Sequence, residues 1–168
     1  YVWRGQVLNS AAVVQPAINA ETPFGLTLGA WGNVDATKKY DLAGKFNEVD
    51  LSANYELPIE GPVSVSFGIV NYLYPYHETQ TSVDEESGEV VVGAVDETTE
   101  ISVTVAGDVL LQPTLTVVRD IDECRGYYAS IGIGHSLPII ENVDLDMGVS
   151  VGWADKTYNE INIFDNRQ

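Results

Sequence analysis

Residues 47–57, which read Asn-Glu-Val-Asp-Leu-Ser-Ala-Asn-Tyr-Glu-Leu, show the pattern that decides the fold of this chain. Apolar and polar residues alternate strictly through the segment, with Val49, Leu51 and Ala53 each placed between polar neighbours. Successive side chains of a β-strand point to opposite faces, so this segment has one apolar and one polar face. The same alternation recurs in residues 97–107 and 142–154. The sequence therefore predicts amphipathic β-strands.

Strands with this period account for most of the chain, and no segment shows the 3.6-residue period of a helix. The predicted strands are 1–9, 12–21, 25–35, 47–57, 62–75, 97–107, 112–120, 126–137, 142–154 and, from a weaker pattern, 157–164. Consecutive strands without intervening helices are typical of an all-β sandwich or a barrel of antiparallel hairpins.

The connections between these strands differ in length in a regular way. Short turns are predicted at 22–24, 58–61, 107–111 and 138–141, and longer connections at 36–46, 76–96 and 120–125. In an up-and-down meander alternate connections emerge at the same end, so the molecule would have a short-turn end and a long-connection end. Outer-membrane barrels have this topology, and a lipocalin-like soluble barrel would also be compatible with it.

The fold prediction is an all-β, antiparallel up-and-down β-barrel of about 10–12 strands, of the transmembrane type. Residues 1–168 are predicted to form one domain, trimmed at both ends. The connection 76–96 holds six acidic residues and no Lys or Arg, and we expect it to form a projecting acidic hairpin.

Composition excludes several classes of protein. Among 168 residues, 25 are acidic and 8 are basic, which gives a formal net charge of −17. Eight scattered bases cannot form the basic stripe that nucleic acid requires. An apolar fraction of 45% is too high for a disordered chain. The single cysteine, Cys124, excludes a disulfide framework within one chain.

The polar face of the strands carries ionisable residues in mid-strand, which indicates that the apolar face points outward. Glu48, Asp50 and Glu100 lie on this face among Gly, Ser and Thr residues, which suits a lumen. The predicted strand lengths are also close to the roughly 9–11 residues with which a tilted strand crosses a bilayer. Aromatic residues lie toward the long-connection end, as in an interfacial girdle: Trp31, Tyr72, Tyr74, Tyr127, Tyr128 and Trp153.

Two arginines within strands are candidates for a charge network in the lumen. Arg4 and Arg119 are natural partners for Glu48, Asp50 and Glu100, because buried charges are tolerated when they are paired. The network is interpreted first as structural and second as a selectivity constriction, in which the acidic excess would favour cations.

The acidic loop after residue 119 is the one candidate for a metal site. Asp120, Asp122 and Glu123 have the i, i+2 spacing with which carboxylates can share Ca²⁺. The loop lacks the Gly and the distal Glu of an EF-hand, so a solvated turn is the simpler interpretation. No other cofactor is predicted.

No motif predicts an enzyme. Residues 148–152 match the hydrolase pattern G-x-S-x-G, but Ser150 lies within an alternating strand, without the strand-to-helix turn that exposes a nucleophile. The two histidines, His77 and His135, have no Ser or Cys partner at a recognisable spacing.

Short motifs along most of the chain resemble a family of bacterial outer-membrane β-barrels of unknown function, the Gcw_chp proteins. The motifs are Tyr1-Val2-Trp3-Arg4-Gly5, Gly29-Ala30-Trp31-Gly32-Asn33-Val34-Asp35, Asn47-Glu48-Val49-Asp50-Leu51, Thr99-Glu100-Ile101, Pro113-Thr114-Leu115, Gly126-Tyr127-Tyr128 and Gly134-His135-Ser136. The resemblance implies a barrel in the bacterial outer membrane, in contact with lipid, and it implies no reaction.

The predicted function is that of a non-enzymatic outer-membrane barrel, porin-like or structural. Two alternatives stay open. One is a secreted soluble β-barrel whose inward apolar face binds an apolar ligand. The other is an extracellular self-assembling subunit whose strand edges pair with copies of itself.

Overall fold

A computed structural model of the chain describes residues 1–40, 43–75, 80–83, 90–93 and 97–162. In this part of the chain the fold is all-β, as predicted, with one short α-helix and one 3₁₀ turn at Lys38–Tyr40. The strands are β1 Val2–Trp3, β2 Gln6–Val7, β3 Val13–Val14, β4 Ala17–Glu21, β5 Leu26–Asp35, β6 Phe46–Glu56, β7 Val63–Leu73, β8 Gln80–Val83, β9 Val90–Gly93, β10 Thr98–Gly107, β11 Thr114–Asp120, β12 Tyr127–Ile140 and β13 Val143–Ala154, and the helix is α1 Lys156–Asn162.

The main sheet is an antiparallel meander. Within the described residues it has nine strands in the order β13-β12-β11-β10-β7-β6-β5-β3, and β4 pairs with β5 beside β3. From β5 to β13 neighbouring strands are antiparallel and follow one another along the chain, apart from the β8–β9 pair between β7 and β10, so alternate connections emerge at the same end of the sheet. The connections that follow β5, β7 and β11 therefore share the end predicted for the long connections.

The connection between β7 and β10 contains a second strand pair. Here β8 pairs with β9 in an antiparallel register, from Gln80 opposite Gly93 to Val83 opposite Val90. This pair lies where the sequence predicts an acidic hairpin, and residues 84–89 between the two strands lie outside the described residues.

The two edges of the main sheet are not joined by any pairing among the described residues. The edge strands are β13 on one side and β3 with β4 on the other, and all five residues of β4 and eleven of the twelve in β13 are exposed. The structure therefore confirms an all-β antiparallel sheet, with nine strands among the described residues, and the closure of a barrel of about 10–12 strands stays a prediction.

Both predicted terminal strands are wrong. Residues 1–9 fold into a separate hairpin, in which Trp3 of β1 pairs with Gln6 of β2. Its two-residue turn places Arg4 at φ 46° and Gly5 at φ 81°, the left-handed conformation that short hairpin turns require. Residues 157–164 were predicted as a strand, but helix α1 begins at Lys156. The Asp155 carboxylate accepts a hydrogen bond from the backbone N–H of Tyr158 at 2.8 Å and thereby caps the N-terminus of α1.

The polarity of the sheet is the reverse of that of a soluble protein. Its buried side chains are mainly polar: Asn33, Asp35, Glu48, Glu100 and Asp120. The apolar residues predicted to point outward include five that are exposed, namely Leu51, Leu145, Met147, Val149 and Val151, while Val49 and Ala53 are half-buried. Among the described residues, no helix is long and apolar enough to cross a membrane.

The aromatic residues divide between the two faces, which corrects the predicted girdle. Tyr127 and Trp153 are exposed on the apolar face. Trp31 and Tyr72 both lie directly opposite Asp50 on the polar face, and Tyr128 lies within reach of a Cβ placed on Gly152, on the same face.

Candidate functional site

A buried cluster on the polar face joins both ends of the described chain to the middle of the sheet. It comprises Arg4, Tyr72, Glu100 and Tyr158 and is called the Glu100 cluster below. The guanidinium of Arg4 donates to both carboxylate oxygens of Glu100, with N–O distances of 2.7 Å each. The hydroxyl of Tyr72 donates to Oε2 at 2.9 Å and that of Tyr158 to Oε1 at 2.7 Å. Glu100 thus accepts four hydrogen bonds from three elements and is compensated for its burial.

Aromatic rings surround the Arg4 guanidinium. Its central carbon lies 4.4 Å from the ring centroid of Trp3, 4.5 Å from that of Tyr128 and 5.3 Å from that of Tyr158. A planar guanidinium can stack on rings while its edge binds a carboxylate in a bidentate manner. The site is therefore built specifically for arginine.

Local chain geometry positions the two terminal contributors. The turn at Arg4 and Gly5 directs the arginine onto the polar face, as the bond to Glu100 shows. Helix α1 passes so close to Gly126 that a Cβ there would lie 2.5 Å from the backbone nitrogen of Tyr158. This close approach buries Tyr158 completely, at 0% exposure.

Two further acidic residues, Glu48 and Asp50, lie beside the Glu100 cluster on strand β6. The hydroxyl of Tyr1 donates to Glu48 Oε2, and the Tyr1 ring packs against Trp31 at a centroid distance of 5.9 Å. Burial and the Glu48 carboxylate raise the pKa of the Tyr1 phenol, so that it stays protonated as a donor. Oδ1 of the neighbouring Asp50 is buried without a hydrogen-bond partner.

Side-chain amides form a series of hydrogen bonds at the long-connection end of β5 and β6. Gln15 donates to Asn33 at 3.0 Å, Asn33 to Asn47 at 2.8 Å, and Asn47 to Asp35 Oδ1 at 2.9 Å. Asn9 donates to the same Asp35 oxygen at 2.7 Å. The N-terminal segment is thus tied to the sheet here as well as at Glu100.

Of the predicted charge network, the structure brings Arg4 to Glu100, with Tyr1 rather than an arginine on Glu48. Arg119 does not belong to this cluster. It pairs with Ile101 and Tyr127 across the sheet, it is exposed, and its guanidinium lies 5.1 Å from the Tyr127 ring centroid. The alternation of β11 explains the error, because Asp120 points to the polar face and its neighbour must point to the apolar one.

The predicted calcium site is not assembled. Oδ1 of Asp120 accepts the backbone N–H groups of Asp122, Cys124 and Arg125 at 3.0, 3.2 and 3.3 Å, and Oδ2 accepts the hydroxyl of Thr98 at 2.6 Å. Among the described residues, no three His, Cys, Asp or Glu side chains gather as a metal site. The Asp120 carboxylate instead organises the 121–126 connection, while Asp122 and Glu123 are exposed.

The hydrolase-like motif has no catalytic geometry. Ser150 is exposed in the middle of β13, opposite Gly132, and the strand continues to Ala154. A nucleophile elbow would need a sharp turn into a helix directly after the serine.

Sequence reasoning missed the three tyrosines of the site, Tyr1, Tyr72 and Tyr158. Tyr72 is in phase with Ser64, Ser66 and Gly68 of the same strand, so the period of two could have placed it on the polar face. Asp155 three residues before Tyr158 is a helix N-cap signal that argues against the predicted strand. Nothing in the sequence places Tyr1 next to Glu48.

Comparison with known proteins identifies one relationship. Residues 1–155 match the sequence model of Gcw_chp, described as a bacterial protein of unknown function. No curated protein and no solved structure matches the chain.

Proposed function

The chain belongs to the Gcw_chp family of bacterial proteins, and from that premise we propose that it is a non-enzymatic outer-membrane β-barrel protein, porin-like or structural. The inverted polarity of the sheet carries the proposal. Charged side chains such as Glu100 are buried on one face, while apolar side chains such as Val149 and Val151 are exposed on the other. A hydrocarbon environment stabilises that outward face, whereas water does not.

Strand length supports the same function. Strands β5, β6, β7 and β10 have 10, 11, 11 and 10 residues, and β13 has 12. A tilted strand crosses a bilayer in about 9–11 residues. Because lipid offers no hydrogen bonds to a free strand edge, the proposal includes closure of the sheet along β13 and the β3–β4 edge.

The charge of the polar face favours cations over anions in any passage along it. Glu48, Asp50, Glu100 and Asp120 all lie on this face, and Arg4 is the base paired there. Rings of carboxylates select cations in pores. The N-terminal hairpin and α1 cover the polar face at Glu100, so slow permeation and a purely structural role are both compatible with the proposal.

The positions of two tryptophans provide the experiment. Trp153 is 62% exposed on the apolar face, whereas Trp31 lies opposite Asp50 on the polar face. One variant keeps only Trp153 (Trp3→Phe, Trp31→Phe) and a matched variant keeps only Trp31 (Trp3→Phe, Trp153→Phe). Each is reconstituted into phosphatidylcholine vesicles with and without bromine on the acyl chains.

Brominated chains should quench the fluorescence of Trp153 strongly and that of Trp31 weakly. Equal, weak quenching of both would contradict a lipid-facing apolar surface. Stronger quenching of Trp31 would mean that the polar face meets the lipid, which would also end the proposal.

The open edges favour a second candidate, a self-assembling subunit. Strand β13 is a long, exposed edge of alternating polarity, and such edges pair readily with another chain. Light scattering of the detergent-solubilised protein would separate the two: one copy per particle supports a closed barrel, and two or more support assembly. The third possibility, a soluble barrel with an inward apolar face, gains no support from the exposed apolar residues.

A further inference from the structure

We propose that Arg119 and Tyr127, together with the apolar groove beside them, bind a lipid with a phosphate head group on the outer surface of the sheet. The proposal rests on the proposed function, because it needs the apolar face to meet lipid. It assigns Arg119 a role as the head-group ligand and Phe67, Val103 and Val117 a role as the surface for an acyl chain.

Arg119 is chemically exceptional on its face. The registers place Ile69, Ile101, Arg119 and Tyr127 directly beside one another on four neighbouring strands. The registers assign each residue of β3–β7 and β10–β13 to one face of the sheet. On the apolar face of these described strands, Arg119 is the only residue of the types Asp, Glu, Lys and Arg. A charge at a lipid-facing position is costly unless it reaches an ion or the interface, which makes its retention informative.

Arg119 has no carboxylate partner in the part of the chain that the structure describes. Among the described residues, no Asp or Glu forms a salt bridge with Arg119 within 4.0 Å, although Arg4 on the other face has one at 2.7 Å. The guanidinium instead lies 5.1 Å from the centroid of the Tyr127 ring, with its hydrogen-bonding edge available. A guanidinium in this state is complementary to a phosphate, which it can bind through two parallel hydrogen bonds.

An apolar groove leads away from the arginine along the sheet. It has a volume of about 440 Å³, and its lining includes Phe67, Ile101, Val103, Val117, Arg119 and Tyr127. The apolar members are exposed by 40–47%. Head-group charge at one end and apolar surface along the rest match an amphiphile better than a free anion.

Arg119 lies near the end of its strand, which is where the head group of a bilayer lipid would lie beside a membrane-spanning strand. It is the last residue but one of β11, next to the 121–126 connection. Directly beyond its row, Asn71 donates to the hydroxyl of Thr99 at 3.1 Å, so polar side chains follow the apolar ones on β7 and β10. Arginine and tyrosine side chains at such a boundary reach the polar region of a bilayer.

The test measures the binding of dodecyl phosphate, a single-chain phosphate amphiphile, to the full chain in dodecyl maltoside micelles by native mass spectrometry. Arg119→Gln is compared with Arg125→Gln, a control that removes the same charge from the adjacent connection. Arg119→Gln should bind at least about tenfold more weakly, because the charge-assisted hydrogen bonds to the phosphate are lost. Arg125→Gln should stay within about twofold of wild type.

Arg119→Lys keeps the positive charge but loses the two parallel hydrogen bonds, so its affinity should lie between those of wild type and Arg119→Gln. Such partial rescue would show that the glutamine variant loses binding through its charge and not through a folding defect. Inorganic phosphate should compete poorly, since it lacks the chain that fills the groove. Equal binding by wild type and Arg119→Gln would overturn the proposal, as would equal competition by inorganic phosphate. Failure of the membrane proposal itself would appear separately, as absence of Trp153 quenching by brominated lipid.

Discussion

Arg4 and Arg119 both contact tyrosine rings on the same sheet, but they lie on opposite faces in opposite electrostatic surroundings. Arg4 is 13% exposed in its side chain and is bound to Glu100 by two hydrogen bonds. Arg119 is exposed among apolar residues, with Tyr127 as its neighbour. A buried arginine that is paired with a carboxylate contributes to stability, whereas an exposed arginine without such a pair among the described residues contributes little, and Arg119 is the one proposed to bind a ligand.

The largest expected difference is between Glu100→Ala and Arg119→Ala. Removing Glu100 leaves Arg4 buried and unpaired and deprives Tyr72 and Tyr158 of their acceptor, so the free energy of unfolding should fall by about 3–5 kcal/mol. Arg119→Ala should change it by no more than about 0.5 kcal/mol. Urea unfolding in detergent micelles measures both. Similar losses in the two variants would erase the distinction between the faces.

Gly126→Ala tests how far the packing of α1 on the polar face depends on its close approach to Gly126. A new Cβ would meet the backbone of Tyr158 at 2.5–2.8 Å, so the helix must shift away from the sheet, at a cost of about 1–3 kcal/mol. Gly134→Ala is the matched control, because its nearest atom would be the Met147 carbonyl at an ordinary 3.5 Å. Proteolysis within α1 should increase for Gly126→Ala alone. Equal cleavage in both variants would mean that α1 does not depend on this contact.

Tyr158→Phe isolates one hydrogen bond of the cluster. Glu100 keeps its two bonds to Arg4 and one to Tyr72, so the expected loss of unfolding free energy is about 1 kcal/mol. Tyr127→Phe, on the outer face, should be neutral. A double-mutant cycle of Tyr158→Phe with Tyr72→Phe measures the coupling through their shared carboxylate. Strictly additive effects would argue that the two hydroxyls act independently.

Asp50→Asn should have the smallest effect, and in the opposite direction. Asp50 interacts repulsively with Glu48 and Glu100, and its Oδ1 has no hydrogen-bond partner among the described residues. Removing its charge should leave stability unchanged or raise it by up to about 1 kcal/mol. In a planar bilayer the same variant should show a smaller preference for cations, measured as the reversal potential. A clear loss of stability would mean that the Asp50 carboxylate is needed where it lies.

The alternation of residue types predicted six long strands closely. The predicted strand 47–57 corresponds to β6, 97–107 to β10 and 142–154 to β13, because a period of two is a local property that each strand carries by itself. Pairing order and the two ends of the sheet followed from the lengths of the connections. The exposed outer positions Leu51 and Val149 also agree with the alternation.

The parts that sequence reasoning missed depend on contacts between distant segments. Tyr158 and Glu100 are 58 residues apart, and Arg4 and Glu100 are 96 residues apart. Their meeting depends on the fold of the terminal segments, where hydrophobic alternation is short or absent. The error at Arg119 had a different cause. Its charge suggested a partner on the polar face, but it lies between Val118 and Asp120, which are both buried on that face, so alternation directs Arg119 to the apolar face.

The sequence by itself determined the long strands of the main sheet, their antiparallel order and the division of each into an apolar and a polar face, because these follow from backbone geometry and residue spacing. Mid-strand charges also predicted that the polar face is the covered one, which the burial of Glu48 and Glu100 confirms. Only the tertiary structure decided that the N-terminal hairpin and α1 meet on Glu100. Alternation separates two faces of a strand, but it does not determine which of them the terminal segments cover. That choice depends on long-range hydrogen bonds and on close approach, as at Gly126, where the absence of a side chain lets α1 reach the sheet.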